Sequence, residues 1–195
     1  MTDLKDQLHA YLRAAREAVV WKLEGLDEYA AHRPMTPTAT SLLGLVKHLA
    51  NVEAGYFGDT FGRPFPEPMV WKTADDLTGD MWATADESTG DLLELYDRVC
   101  RHADETISSL GLDATGRVPW WPPERADVTL ARILVHVTAE TNRHAGHADI
   151  VRELLDGAVG LRPANHNMAP GGEAEWSAYY GRVEQAALAW RDRTR

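Results

Sequence analysis

Residues 129–155 read TLARILVHVTAETNRHAGHADIVRELL, and apolar side chains recur through them with the three- and four-residue steps of a helix. We expect one stripe of this helix to face the core, and its members are Ile133, Val137, Glu140, His144, His147, Val151 and Leu154. A carboxylate and two imidazoles therefore stand where Leu or Val is usual. Burying such groups is costly unless they are paired or coordinate a metal. The stripe predicts a compensating partner, and a divalent metal ion is the simplest one.

The spacing within this polar group is also that of a chelate. Glu140 and His144 are four residues apart, and His144 and His147 are three apart, so each pair has neighbouring side chains on one helix face. A hydrogen-bonded polar network in the core is an alternative, and a helix rotated to expose the group is another. The apolar stripe around the group favours the metal.

A histidine in the second apolar segment strengthens this interpretation. His48 lies among Leu45, Leu49 and Val52, at the edge of an apolar helix face. A single histidine in such a place is more often a core residue with satisfied hydrogen bonds. Together with Glu140 and His144 from a facing helix, however, it completes a set of two nitrogens and one oxygen. Three protein ligands with open positions are typical of catalytic metal sites, whereas structural zinc sites have four.

The remaining pattern predicts an all-α protein. Helical periodicity covers Asp3–Leu26, Ser41–Phe61, Thr89–Leu110 and Glu173–Arg193 besides the segment above, with a short helical shoulder near Asp75–Thr84, and strand signals are weak. We expect a four-helix bundle with a long crossover connection and a peripheral C-terminal helix. One domain would span residues 1–195, with its core in about 1–155 and an extension at 160–195.

Composition excludes several classes of partner. The formal net charge of −10 disfavours binding to nucleic acid or to an anionic membrane. There is no apolar run of membrane-spanning length, and the first residues lack the pattern of a signal peptide. Cys100 is the only cysteine, so no intrachain disulfide can form and we expect a cytoplasmic protein. We interpret Cys100 as a packed residue of its helix and not as a nucleophile.

Two other features are interpreted as packing. Trp120 and Trp121 stand among prolines in a connecting loop, where they either wall a pocket or pack, and packing is favoured. His136 is two four-residue steps before His144, which rotates it about 80° around the helix axis. Helix packing or a hydrogen bond is its expected role.

Two stretches carry a family resemblance. They are SLLGLVKHLANVE at residues 41–53 and ETNRHAGHADI at residues 140–150. The chain resembles the DinB-like, damage-inducible superfamily of metalloproteins, close to the branch of mycothiol-dependent maleylpyruvate isomerase and thiol S-transferases. The resemblance implies His48, Glu140 and His144 as metal ligands. Many members have histidine at the position of Glu140, and the carboxylate here is similar to the isomerase branch. His147 would be catalytic, as a hydrogen-bond donor or proton shuttle, with metal ligation as the alternative.

The resemblance implies a metal-dependent enzyme that uses a low-molecular-weight thiol. Arginine outnumbers lysine by 16 to 4, a bias of GC-rich genomes that favours mycothiol as the thiol. The metal would activate the thiol for S-transfer or isomerisation, and zinc is favoured over nickel, iron or manganese. Expected partners are a small-molecule thiol, an electrophilic substrate and a second copy in a homodimer. The alternatives are a non-catalytic metal- or ligand-binding stress-response protein and a purely structural bundle.

Overall fold

The computed structural model describes residues 3–69, 76–163 and 165–193. It is 64% helical, which confirms the all-α prediction. Its helices are α1 Leu4–Val20, α2 Glu28–His32, α3 Leu42–Glu53, α4 Thr89–Ser109, α5 Pro123–Ala126, α6 Leu130–Asp156 and α7 Glu173–Arg193. A short hairpin pairs β1, Thr115–Arg117, antiparallel with β2, Asp127–Thr129. The weak strand signals did not predict this hairpin.

Four long helices form the bundle. α1 packs against α6, while α3 packs against both α4 and α6. Ser41, Ser88 and Thr129 begin three of these helices by accepting a hydrogen bond from a backbone N–H of the first turn. Gly157 ends α6 in the left-handed region at φ 79°. The apolar side chains fill two clusters along the bundle, and α3, buried on nearly every side, lies against both α4 and α6.

The segment after α3 is not the regular helix that its periodicity predicts. A π-helical turn at Ala54–Gly58 follows α3, and a 3₁₀ turn at Asp59–Phe61 completes it. The widened turn changes the direction of the side chains that follow, as π turns at functional sites commonly do. Tyr56 lies within this turn, and its ring centroid is 4.8 Å from that of His136 on α6.

The connections depart further from expectation. The described part of the expected helical shoulder, residues 76–84, consists of turns, so that prediction is wrong there; Asp75 lies outside the described residues. Tertiary contacts hold these turns, and local periodicity carries no information about such contacts. Trp120 and Trp121 lie in the connection between the two strands of the hairpin, which separates α4 from α6. Prolines in this connection prevent a continuous helix.

The chain divides into two compact units, Met1–Asn165 and His166–Arg195. The first holds the bundle and the hairpin. The second holds α7, whose bounds match the predicted range, and Glu175 Oε2 accepts a hydrogen bond of 2.9 Å from the backbone N–H of Gly172 at its start. Within the described residues, every helix is too short or too polar to cross a membrane.

Candidate metal centre

Helices α3 and α6 bring the three predicted ligands to one point. Glu140 Oε1 lies 3.0 Å from His144 Nε2 and 3.6 Å from His48 Nε2. One ligand atom from each residue lies within 4.8 Å of the others. The i,i+4 spacing on α6 places Glu140 and His144 side by side, and the contact between α3 and α6 adds His48. The two imidazole planes meet edge to face, with centroids 4.9 Å apart.

These separations suit a divalent metal ion. Nitrogen and oxygen ligands of zinc bond at about 2.0–2.2 Å, so neighbouring ligand atoms around a tetrahedral ion stand about 3.3–3.6 Å apart. The two separations from Glu140 Oε1, 3.0 and 3.6 Å, fall near this range. Two imidazoles and a carboxylate also form a donor set that zinc and other first-row divalent metals accept. The cluster can hold a metal ion and leave coordination positions open.

The electrostatics keep these donors available. Burial by itself would raise the pKa of Glu140, but hydrogen bonding and attraction from the two histidines outweigh it and lower the pKa. Burial lowers the pKa of His144, and repulsion from His48 adds to that effect, while Glu140 opposes it. At neutral pH the carboxylate is ionised and the His144 ring is neutral. Both are the forms that coordinate a metal.

In each imidazole, the nitrogen that does not face the centre contacts a residue outside the cluster. His48 Nδ1 is 2.7 Å from Asp80 Oδ2, and His144 Nδ1 is 3.3 Å from His147 Nδ1. Both rings thus present Nε2 to the centre. Asp80 belongs to the turns that begin at residue 76, and no spacing in the sequence pointed to it.

The predicted stripe of α6 needs correction at two positions. His147 is exposed, and Leu154 is 65% exposed, whereas Ile133, Val137 and His144 are buried. A seven-residue repeat drifts by about 20° per repeat on a straight α-helix. Positions 147 and 154 have therefore turned away from the core, and the buried face continues at Val151, as predicted, and at Ala148.

A cavity of about 720 Å³ opens beside the cluster and includes His48 and Glu140 in its lining. Tyr56, Trp120 and His136 form an aromatic wall, with the Tyr56 and Trp120 centroids 5.1 Å apart. The packing interpretation of Trp120 and His136 is therefore incomplete, because both residues line this cavity. Burial lowers the pKa of His136, so its ring is neutral at pH 7. The pocket-wall alternative for Trp120 is thus confirmed, whereas sequence reasoning did not connect Tyr56 or His136 with a wall, since its members come from the π turn, the hairpin and α6.

Asn51 is another residue of the cavity lining that the sequence did not single out. It follows His48 by three residues on α3 and is 2% exposed. Its Nδ2 donates to the Lys47 carbonyl at 2.9 Å, while its Oδ1 is buried with no partner among the described residues. An unsatisfied buried acceptor costs about 1–3 kcal/mol, which a bound ligand with a donor can offset.

Together the fold and the site define a class, namely helical bundles with a His–Glu–His cluster suited to a divalent metal beside a cavity. Residues 7–157 match the sequence model of the mycothiol S-transferase family. The chain belongs to that family, which confirms the resemblance to the DinB-like superfamily.

Other comparisons add only the fold. A conserved protein from Enterococcus faecalis has a similar solved structure, with a TM-score of 0.59 and 16% sequence identity over 81% of this chain and 100% of that chain. At this identity the likeness concerns the fold alone. A comparison with curated proteins finds no match.

Proposed function

We propose that this protein is a metal-dependent mycothiol S-transferase, with His48, Glu140 and His144 as the ligands of one divalent ion. The observation that carries the proposal is a three-donor cluster that borders a cavity of about 720 Å³. Catalytic metal sites have three protein ligands and an open position, and here the open side has room for a substrate. Zinc is the favoured ion, and nickel, iron and manganese suit the same donors.

A bound divalent ion would supply the positive charge that lowers the pKa of the mycothiol thiol and favours its thiolate. The chain's own residues then have separate tasks. His136 faces the cavity in its neutral form, so its ring can accept the proton that the thiol loses. Tyr56 and Trp120 cover apolar parts of the substrates and exclude water from that side of the cavity. The thiolate attacks the electrophile and forms a carbon–sulfur bond as the leaving group departs.

His147 has a different task in this scheme. Its Nδ1 contacts His144 Nδ1 at 3.3 Å, and its side chain is exposed. It is not among the residues that line the cavity. We therefore assign it the orientation of the His144 ring, with proton exchange to solvent as a secondary role.

The charge of the cavity favours S-transfer over isomerisation. Asp59, Asp80 and Glu140 contribute carboxylates to its lining, and within the described residues no lysine or arginine lines it. Arginine and lysine side chains are the usual partners of a dicarboxylate such as maleylpyruvate. An uncharged electrophile requires none, so it matches this cavity better.

The cobalt-substituted protein provides the test. Coordination of a thiolate to Co²⁺ produces an intense charge-transfer band in the near ultraviolet. We expect mycothiol to induce this band and to react faster with an uncharged alkylating agent in the presence of the protein. His144→Ala serves as the control, because its loss of a ligand should abolish both signals.

The same experiment distinguishes the transferase from the second candidate, a non-catalytic metal- or ligand-binding protein. If millimolar mycothiol leaves the cobalt spectrum unchanged, the transferase proposal fails. If the band appears and no electrophile is consumed faster, the protein binds the thiol without catalysis.

A further inference from the structure

The segment of residues 76–87 lies directly against the first turns of α3, and three contacts hold it there. Asp80 Oδ2 is 2.7 Å from His48 Nδ1. Lys47 Nζ donates to the Trp82 carbonyl at 3.1 Å and to Glu87 Oε2 at 2.8 Å. At the third contact, the Met81 carbonyl approaches Gly44 so closely that an added Cβ would collide with it.

Position 44 requires glycine because the backbone of another segment lies very close to it, and not because of its own backbone conformation. It lies inside α3, and its nearest neighbour beyond the helix is the backbone of Met81, which follows Asp80. Backbone cannot swing aside as the end of a flexible side chain can. Any larger residue at position 44 would therefore push Met81, and Asp80 with it, away from α3.

Lys47 holds the same segment from the next turn of α3. The residue is only 3% exposed, and both of its hydrogen-bond acceptors belong to residues 82–87. Glu87 Oε2 also accepts from the backbone N–H of Thr84 at 2.7 Å, which ties the end of the segment together. Burial alone would raise the pKa of Glu87, but the hydrogen bond from Lys47 contributes to a net lowering. The ion pair between Lys47 and Glu87 thus anchors the segment.

We propose that Asp80 is a positioning residue of the metal centre and that Gly44 and Lys47 fix its location. This inference rests on the proposed metal site. Asp80 is 4% exposed, and its carboxylate accepts the hydrogen of His48 Nδ1, which leaves the Nε2 lone pair directed at the centre. Without that hydrogen bond, the His48 ring could rotate or present the other nitrogen. Gly44 lies one turn before Lys47 and His48 on the same helix, so α3 carries both the proposed ligand and the support for its orientation.

Zinc affinity, measured by competition with a chromogenic chelator, tests this role. Asp80→Ala should weaken zinc binding about 10–100-fold, as losses of outer hydrogen bonds to metal ligands typically do. Asp80→Asn should recover part of the loss, because its amide oxygen still accepts a hydrogen bond. Asp86→Asn is the matched control, since Asp86 is an exposed carboxylate of the same segment. Its zinc affinity should equal that of the unmodified protein.

A double-mutant cycle separates positioning from general structural damage. Gly44→Ala should weaken zinc binding by displacing Asp80, and it should cause no further loss in a protein that already carries Asp80→Ala. Losses that add would overturn the assigned role of Gly44. If Gly44→Ala does not fold, the comparison of Asp80→Ala with Asp86→Asn still decides the role of Asp80.

The visible spectrum of the cobalt-loaded protein gives a second readout. Asp80→Ala should shift the ligand-field bands, because the orientation of a ligand changes, whereas a merely structural role would lower the unfolding midpoint and leave those bands in place. Failure of the proposed function is distinct, because the unmodified protein would then bind no stoichiometric zinc. If it binds zinc and Asp80→Ala binds it equally well, only the role of Asp80 is overturned.

Discussion

Two of the buried groups of charged and polar side chains in the bundle are built in opposite ways. In the first, Arg16 on α1 donates from Nε and Nη2 to both oxygens of Glu53, at 2.7 and 2.5 Å. Arg16 Nη1 reaches Asp104 at 2.7 Å, and Asp104 also contacts His9 at 2.7 Å. The Glu53 side chain is completely buried, yet a bidentate guanidinium matches its charge. We call this group the Arg16 network.

The metal-ligand cluster of His48, Glu140 and His144 has no such internal match. Glu140 contacts two imidazole nitrogens, and within the described residues no lysine or arginine forms an ion pair with it. The acceptor atoms converge on a point beside a cavity and do not pair off. The carboxylate of Glu53 in the Arg16 network is paired with a guanidinium, whereas the cluster presents three donor atoms that could hold a divalent cation.

Each of the two groups also lies beside a cavity, and the two cavities differ in character. A second cavity of about 630 Å³ lies between α1 and α4 and is lined by Arg16, Tyr96 and Cys100. Burial raises the pKa of both Tyr96 and Cys100 well above their ordinary values, and the negative charge of Glu53 adds to the effect. Cys100 is thus a protonated thiol at neutral pH, which agrees with its interpretation as a packed residue. Arg16 and Tyr96, the buried polar residues of this lining, both hydrogen-bond to Glu53.

The largest expected effect comes from a substitution that removes one residue of the metal-ligand cluster. His144→Ala should reduce the bound metal from about one ion per chain to none, because two protein ligands rarely retain an ion. Elemental analysis of protein purified without a histidine tag measures this. His102→Ala is the control, since His102 bonds to the Arg63 carbonyl outside the cluster and should leave the metal content unchanged. Full occupancy of His144→Ala would place the site elsewhere.

The next largest effect comes from a substitution in the Arg16 network. Arg16→Met should lower the free energy of unfolding by about 3–5 kcal/mol, because it leaves Glu53 buried and unpaired. Urea denaturation of the metal-free protein measures the loss. Arg101→Met is the matched control: Arg101 pairs with Asp97 on the surface of α4, where its side chain is 66% exposed, so stability should hardly change. An equal loss in both variants would mean that burial of the pair is unimportant.

A smaller effect sharpens the assignment inside the metal-ligand cluster. His147→Gln should keep the metal but weaken its binding about 10–100-fold, because the outer hydrogen bond to His144 is altered. Chelator competition measures the affinity. Complete loss of metal, as in His144→Ala, would instead make His147 a ligand and reduce Glu140 to a supporting role.

The smallest effect concerns the pH dependence of the Arg16 network. Burial alone would raise the pKa of Asp104, but the hydrogen bond from His9 and the charge of Arg16 lower it. A lowered pKa in the folded state contributes stability above the unfolded value of about 3.9, and this contribution disappears as the pH falls through the folded value. Urea midpoints of the protein and of Asp104→Asn should therefore differ near neutrality and converge in acid. A difference that stays constant in acid would contradict this assignment.

Much of the candidate site could be predicted because its three donor residues lie on regular helices. The apolar period of α6 and the i,i+4 spacing of Glu140 and His144 are local properties that any α-helix converts into neighbouring side chains. The facing helix that brings His48 was also predictable, since α3 has its own apolar stripe. The same periodicity misplaced His147 and Leu154, because a seven-residue repeat drifts around a straight helix.

The sequence by itself therefore determined the all-α bundle, the three residues of the cluster and the family. An α-helix repeats every 3.6 residues, so the order of apolar and polar side chains along the chain reveals which of them share a helix face. Only the tertiary structure decided the surroundings of the cluster. Asp80 is 32 residues from His48 in a segment without periodicity, and the cavity wall joins a π turn, a hairpin and α6. Such neighbours are set by where irregular backbone packs, as at Gly44 and Met81, and that depends on contacts between segments that no local pattern encodes.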